Sequence, residues 1–157
     1  MPWINLTVRR GALNNEMQHA VMSKLTDALM FWEKIPDTPE ARKKMKGWVY
    51  EVAEDADYNG GSSSHKDPFY FLEVRLPAGR FDVLTKRHLI LDFTKIILLA
   101  EGKPLVPEAA NRIWVTIVEL NLNPAVQRPL PPVRRLTPAV SNCCADHPPG
   151  DNCFSGD

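Results

Sequence analysis

The sequence lacks the features that mark secreted, membrane and nucleic-acid-binding proteins. It has only three cysteines, all within the last 37 residues, so the rest of the chain carries no disulfide framework. Nineteen basic residues balance nineteen acidic ones, and no broad field attracts nucleic acid or an anionic membrane. The most apolar run, 89–100, is interrupted by Asp92 and Lys95 and is too short to span a bilayer. Because no apolar signal segment follows the N-terminus, we expect a cytosolic (cytoplasmic) protein.

Motifs for nucleotide binding and for serine hydrolysis are also missing. The chain has eight glycines, and none of them forms a Gly-x-Ser-x-Gly elbow, a phosphate-binding Gly-x-x-x-x-Gly-Lys-Ser/Thr loop or a Gly-x-Gly-x-x-Gly turn. The Gly/Ser-rich segment 59–64 lacks the lysine and the strand-to-helix context of a phosphate loop. It is interpreted as a plain loop.

A zinc site is not favoured either. Cys143, Cys144, His147 and Cys153 could be drawn around one ion, but the adjacent cysteine pair lacks the usual two-to-four-residue spacer. Reduced thiols in an intracellular protein are the better interpretation. We therefore expect a protein with no metal and no cofactor.

An internal repeat organises the first 120 residues. Segments 11–34 and 79–102 align without a gap at an offset of 68 residues, and the same offset places 48–52 over 116–120. Each half reads as strand, helix and strand, with the first strands at about 3–8 and 69–76. Two such βαβ units predict one layered α/β domain.

The helices are predicted from apolar spacing and from their ends. Asn14 or Asn15 would cap the first long helix, and Asp82 would cap the second, which stops at Gly102. Thr38 followed by Pro39 predicts a short extra helical turn. The apolar stripes of both long helices are interpreted as core.

The chain divides into a domain at 2–120, with repeats at about 2–52 and 69–120, and a tail at 121–157. The tail holds half of the 14 prolines and all the cysteines, and no helical or strand period continues past about residue 126. We expect it to wrap the surface or to be partly disordered.

Pro2 is the first candidate for chemistry, because removal of Met1 would expose a prolyl secondary amine. A free α-amino group titrates near ~7.7–8.0, and burial or a neighbouring arginine disfavours its charged form. Such an amine could act as a base at neutral pH. The alternative is that Pro2 merely begins a strand, where a proline costs no ladder hydrogen bond.

Several arginines could meet Pro2 in a cleft. Arg80 follows Gly79 at the turn into the second helix, Arg75 lies on the preceding strand, and Arg112 opens the last strand. A guanidinium binds a carboxylate through two parallel hydrogen bonds and would lower the pKa of an adjacent amine. Single surface arginines are more often simply solvated.

Together these residues resemble the tautomerase superfamily, which is built from βαβ units and has an N-terminal catalytic proline. The similarity is closest to the cis-3-chloroacrylic acid dehalogenase group and covers about residues 2–120. It is carried by Pro2, segments 18–21 and 26–28, the aromatic-glycine turn 58–61, Gly79-Arg80, and 113–115 with Glu119. The resemblance implies a homotrimer whose subunit has a four-stranded mixed sheet with two helices on one face.

The resemblance also implies site residues. Pro2 matches the catalytic proline and Arg80 matches the carboxylate-binding arginine. The dehalogenase's other arginine falls at Pro77, with Arg75 two residues earlier as a substitute; its histidine falls at Leu29, its tyrosine at Thr116 and its water-activating glutamate near Gln127. Tyr58 is similar to the aromatic residue that closes the pocket in 4-oxalocrotonate tautomerase. Lys34 is placed like the lysine of the macrophage migration inhibitory factor group.

From this resemblance we expect keto-enol tautomerisation of a small 2-oxo or 2-hydroxyalkenoic acid. Pro2 would transfer the proton, Arg80 with Arg75 or Arg112 would bind the carboxylate, and Tyr58 and Trp114 would form apolar walls. Two alternatives remain. One is a lyase or hydratase of the dehalogenase or decarboxylase type, in which Pro2 is a general acid. The other is a catalytically silent binding protein of the same fold.

Overall fold

The computed structural model describes residues 2–63 and 67–121. This part of the chain forms four strands, two long helices, two short α-helices and one 3₁₀ turn (Glu54–Ala56). In chain order the strands and α-helices are β1 (Trp3–Arg9), α1 (Asn15–Trp32), α2 (Pro39–Arg42), β2 (Lys46–Val52), β3 (Tyr70–Pro77), α3 (Val83–Ala100), α4 (Pro107–Ala110) and β4 (Ile113–Leu120). The predicted tail lies outside the described residues, apart from Asn121. Among the helices described, none is both long and apolar enough to cross a membrane.

The sheet is mixed, with strand order β2-β1-β3-β4. β1 runs parallel to β2, and β3 runs parallel to β4, while the central pair β1 and β3 is antiparallel. A parallel pair needs a crossover connection, which α1 supplies in one half and α3 in the other. The expected fold class, a four-stranded mixed sheet with two helices on one face, is confirmed.

The two halves of this fold repeat the same elements at the same spacing. α1 and α3 both have 18 residues and begin 68 residues apart, at Asn15 and Val83. Asn14 and Asp82 cap them in the same way, because each side chain accepts a hydrogen bond from a backbone amide three residues later. The short helices α2 and α4 are also 68 residues apart, and Thr38 caps α2 as expected.

One face of the sheet forms the core with α1 and α3. Alternate residues of β1 and β3 are buried, as the two-residue period of a strand requires. The helices cover them with apolar residues at helical spacing. The buried members of this core include Ile4, Leu6, Leu72, Val74 and Leu76 on the sheet and Val21, Leu25, Leu29, Leu89, Phe93 and Ile97 on the helices.

The opposite face of the sheet, here called the open face, has no described element packed on it. The register places Tyr50 beside Thr7, Thr7 beside Phe71, and Phe71 beside Trp114, so these side chains form one row across all four strands. Their rings are 51%, 42% and 61% exposed for Tyr50, Phe71 and Trp114. Trp48, in the next row, is 46% exposed. So much exposed aromatic surface on one face is typical of a subunit interface.

The strand directions give the sheet two different ends. At the Pro2 end, β1 and β2 begin while β3 and β4 finish. At the Tyr70 end, β3 and β4 begin while β1 and β2 finish. Any site built within one subunit from Pro2 must draw its residues from the Pro2 end.

Candidate functional site

Pro2 is buried at the start of β1, a central strand of the sheet. Its neighbour Trp3 pairs with Lys46 of β2 and with Arg75 of β3. The last residues of β3 and the turn into α3 therefore lie at the same end of the sheet. This turn carries Arg80.

The turn that carries Arg80 is held in place by β4. Gly79 has a φ of 75°, a left-handed conformation that favours glycine, and its amide donates a hydrogen bond to Glu119 at 3.1 Å. Glu119 also forms an ion pair with Lys86 of α3 at 2.7 Å. These two contacts lower the pKa of Glu119 below its ordinary value, the Lys86 hydrogen bond having the larger effect. Arg80 itself is exposed and makes no ion pair with any described residue.

Glu33, the residue that follows α1, lies within electrostatic reach of Arg80 and of the chain's amino terminus. Burial raises the pKa of the Glu33 carboxyl, and the positive charges of Arg80 and of the chain's amino terminus oppose that rise. Both charges therefore act on the same carboxylate. One oxygen of Glu33, Oε1, is buried and has no hydrogen-bond partner among the described residues.

The segment after Glu33 turns sharply at Lys34. Its φ of 55° lies in the left-handed region, and the amide of Ile35 donates back to the carbonyl of Met30 at 2.9 Å. This turn closes the C-terminus of α1. The structure thus places Lys34 at the Pro2 end of the sheet. By resemblance, Lys34 is the residue placed like the lysine of the macrophage migration inhibitory factor group.

Arg75 lies at the Pro2 end but on the open face. Its guanidinium sits over the ring of Trp3, 5.5 Å from the ring centre, and its Nε donates to Glu73 at 2.6 Å. Glu73 also accepts a hydrogen bond from Asn5. Arg75 is therefore already paired, and it faces away from the helix side on which Glu33 lies. Its role in binding substrate stays a prediction.

Arg112 lies at the Tyr70 end, so the structure does not bring it to Pro2 within a subunit. Its Nη2 forms an ion pair with Glu101 at 2.7 Å, and its Nη1 donates to the carbonyl of Pro68 at 2.8 Å. The hydroxyl of Tyr70 donates to the same carboxylate at 2.9 Å. Burial, followed by this hydrogen bond to Glu101, raises the pKa of Tyr70. Within the subunit, Arg112 is a structural residue.

Tyr58 and Trp114 lie together, also at the Tyr70 end. They line an open pocket of about 310 Å³ whose walls include Arg9, Phe69 and Phe71. A second, smaller pocket lies between α1 and β2 and is lined by His19, Met22 and Gly47. Neither pocket is lined by Pro2 or Arg80. The two predicted aromatic wall residues are thus brought together, but away from the proline of their own subunit.

The positions at which the dehalogenase has its histidine, tyrosine and glutamate carry no acidic or basic side chain in this protein. Leu29 is fully buried in the core, and Thr116 lies on the open face beside Glu73. Gln127 lies outside the described residues, as do Cys143, Cys144, His147 and Cys153. Within residues 2–63 and 67–121, no group of three or more His, Cys, Asp or Glu side chains could hold a metal ion.

Glu33 is the residue of this site that the sequence analysis missed. A signal was present, because an acidic residue at the C-terminus of a helix opposes the helix dipole. Glu101 occupies the matching place after α3, where Arg112 balances its charge.

The described fold matches solved structures closely enough to define its class. N1, a member of the cis-3-chloroacrylic acid dehalogenase family, matches with a TM-score of 0.62 and 16% identity over 77% of this chain and 78% of that one. A fused 4-OT symmetric trimer matches at 0.60 and 18%, over 75% and 85%. Pt0534 inactivated by 2-oxo-3-pentynoate matches at 0.60 and 15%, over 75% and 85%.

These matches confirm the resemblance at the level of the fold. The chain has the fold of tautomerase-superfamily structures, including one from the cis-3-chloroacrylic acid dehalogenase family. No protein-family model matches the chain, and the comparison with curated proteins found no match. At these identities the likeness establishes the fold alone.

The buried ion pair at the Tyr70 end gives a test of the structure. Glu101→Ala should lower the free energy of unfolding by about 3 kcal/mol, because it leaves the buried Arg112 without its charge partner. Urea unfolding followed by circular dichroism measures this. Glu108→Ala, at an exposed position in α4, is the control and should change stability by less than about 0.5 kcal/mol. Equal effects of the two variants would contradict the assigned role of Glu101.

Proposed function

We propose that this protein is a Pro2-dependent tautomerase that isomerises a small 2-oxo or 2-hydroxyalkenoic acid without a cofactor. The observation that carries the proposal is that Pro2 is buried at the end of the sheet where β3 leads into the turn with Arg80, and that the amino terminus and Arg80 both act on the half-buried Glu33 between them. An amine and a free guanidinium at one site are the two groups that proton transfer on a carboxylate substrate requires. The described fold, shared with tautomerase-superfamily structures, supports the same conclusion.

Pro2 would be the group that moves the proton. After removal of Met1, its neutral secondary amine takes a proton from the carbon next to the carbonyl, or from the enol oxygen, and returns it to another carbon. Its position at the start of a central strand and its burial fix the direction of the amine and keep its solvation low. Proton transfer by a positioned group contributes roughly 10²–10⁴-fold to the rate.

Arg80 would bind the substrate carboxylate. It is exposed and has no ion-pair partner in the described chain, while the turn that carries it is held by the contacts of Gly79 and Lys86 with Glu119. A guanidinium on a fixed turn can form two parallel hydrogen bonds to a carboxylate. It also stabilises the dienolate, because negative charge moves toward it in the transition state.

The structural neighbours support the substrate class. Pt0534 is inactivated by 2-oxo-3-pentynoate, a small 2-oxo acid. The proposed substrate of this chain has the same 2-oxo acid group, which carries both a carboxylate for Arg80 and a carbonyl that activates the neighbouring proton.

A homotrimer would complete the site. The open face exposes a row of aromatic side chains, and strands β2 and β4 are the edges of the sheet as described over residues 2–63 and 67–121. The 4-OT neighbours include symmetric and asymmetric trimers. A cyclic trimer joins two different patches of adjacent subunits. We propose that the Tyr70 end of one subunit faces the Pro2 end of the next, so that Tyr58 and Trp114 form the apolar wall of its site and Arg112 lies close to it.

The first prediction tests the proline. Pro2→Ala should cut turnover of 2-oxo acid enols by at least ~10²-fold with an unchanged circular dichroism spectrum, because it replaces the fixed secondary amine of proline with a freely rotating primary amine. In the wild type, activity should rise with pH through the pKa of the amine. Retention of Met1 in the mass spectrum of active protein would refute the mechanism. Activity that falls with rising pH would instead indicate that Pro2 is a general acid, as in the lyase alternative.

The second prediction tests the carboxylate contact. Arg80→Ala should lower kcat/KM by about 1.5–3 kcal/mol, the range for a lost charge-assisted hydrogen bond. Arg87→Ala, which removes the same charge from an exposed position in α3, is the matched control and should leave kcat/KM unchanged. If Arg80→Ala lowers kcat/KM no more than Arg87→Ala does, the substrate carboxylate binds to Arg75 or Arg112 instead.

The third prediction tests the assembly. Trp48→Glu should convert the trimer to monomers at micromolar concentration, because it places a charge on the sheet face that the trimer would cover. Light scattering coupled to size exclusion measures the mass. Phe31→Glu changes an exposed aromatic residue at the end of α1, away from the open face, and should leave the trimer intact. A wild type that elutes as a 17.7-kDa monomer would rule the assembly out.

The fourth prediction separates tautomerase from dehalogenase. Hydrolytic dehalogenation needs a base to deprotonate water, and leucine and threonine at positions 29 and 116 cannot take that proton at neutral pH. The protein should therefore release chloride from cis-3-chloroacrylate at least ~10²-fold more slowly than it isomerises enols. Ultraviolet absorbance and chloride release measure the two rates. Comparable rates would mean that another carboxylate activates water, and no activity with either substrate would favour a silent binding protein.

A further inference from the structure

The two halves of the fold end their long helices with the same residue. Glu33 follows α1 and Glu101 follows α3, and the two positions are related by the 68-residue offset of the repeat. At the Tyr70 end, both carboxylate oxygens of Glu101 accept hydrogen bonds. Its carboxylate accepts hydrogen bonds from the Tyr70 hydroxyl at 2.9 Å and from Arg112 at 2.7 Å.

The same offset places Pro2 opposite Tyr70 and Lys44 opposite Arg112. Pro2 has no side-chain donor, and the exposed Lys44 makes no ion pair with Glu33. As a result, Oε1 of Glu33 is buried without a partner in the described chain. An unpaired buried carboxylate oxygen is costly, so its presence in one half alone indicates that its partner is a group the chain acquires there.

The prolyl amine is a donor that arises at this position. When Pro2 is the first residue, its protonated nitrogen carries two N–H bonds and a positive charge. In the chain that still carries Met1, the amino terminus is one of the two charges that act on Glu33, the other being Arg80 of the turn before α3. Removal of Met1 would move that charge to the nitrogen of Pro2, the residue that corresponds by the repeat to Tyr70.

We propose that Glu33 is the positioning residue for Pro2: its carboxylate accepts a hydrogen bond from the prolyl ammonium and fixes the direction of the nitrogen. The proposal rests on the proposed function only in taking Pro2 as the first residue of the mature protein. Glu33 favours the protonated amine, whereas Arg80 and burial favour the neutral one. Their opposition keeps the amine able both to accept a proton and to return it.

A direct titration of the amine tests this without an enzyme assay. Protein labelled with ¹⁵N-proline would be titrated by nuclear magnetic resonance, and the pKa of the Pro2 amine would be read from its nitrogen shift. Glu33→Gln should lower that pKa by about 1 to 3 units, because it removes an opposite charge in contact with the ammonium. Glu101→Gln, the matched variant at the other end, should leave the pKa at the wild-type value while lowering thermal stability.

A second measurement needs no variant. In the wild type, the side-chain carboxyl carbon of Glu33 should shift at the pH where the Pro2 amine titrates, because two groups in contact titrate as a pair. An unchanged amine pKa in Glu33→Gln would overturn the proposal. If that variant does not fold, a Glu33 carboxyl signal that ignores the amine's titration would do the same.

These results are separable from the test of function. A protein that is inactive toward all enols but whose amine pKa responds to Glu33→Gln refutes the tautomerase and supports the pairing. An active tautomerase whose amine pKa ignores Glu33 supports the function and refutes the pairing. In an active enzyme, Glu33→Gln should also move the pH profile of kcat/KM to lower pH, which a loss of stability alone would not do.

Discussion

Two copies of one strand–helix–strand unit share a single apolar core, and the antiparallel contact between β1 and β3 joins them. Everything else depends on that contact. It buries alternate residues of both central strands under α1 and α3, and it leaves the other face of the sheet without a described cover. Because the two strands are antiparallel, the first residues of β1 lie beside the last residues of β3, and the reverse holds at the other end. The site at Pro2 is therefore built from one half's first residue and the other half's turn.

The two ends of the sheet carry equivalent carboxylates, Glu33 and Glu101, and the contacts of these two carboxylates differ. At one end, a tyrosine hydroxyl and an arginine satisfy a buried carboxylate, and the network ties α3 to the beginnings of β3 and β4. At the other end, the equivalent carboxylate of Glu33 has one buried oxygen with no hydrogen-bond partner in the described chain, and the nearby Arg80 makes no ion pair with any described residue. One copy of the unit uses its polar residues to hold the fold together, whereas the equivalent groups of the other copy are not paired with each other.

Much of the fold followed from local signals in the sequence. The repeat, both helix caps and the Thr38 cap depend on residues close together in the chain, so spacing alone predicted them. The end of the sheet to which each arginine belongs depends on strand order and direction, which the sequence pattern does not contain. Arg112 lies at the other end of the sheet from Pro2 in the same subunit, and its part in the site stays a prediction. Glu33 was missed because its importance comes from distant groups, Arg80 and the amino terminus.

At the Pro2 end of the sheet, the backbone of Lys34 adopts a left-handed conformation. The matching position after α3 is Gly102, which adopts its φ of 68° without a side-chain clash, whereas Lys34 adopts 55° with a full side chain. A left-handed conformation costs a residue with a Cβ roughly 1–2 kcal/mol. The chain tolerates this strain next to Glu33 and places a flexible, positively charged side chain there. Strained backbone that persists beside a reactive group is a common property of sites selected for ligand binding rather than for stability.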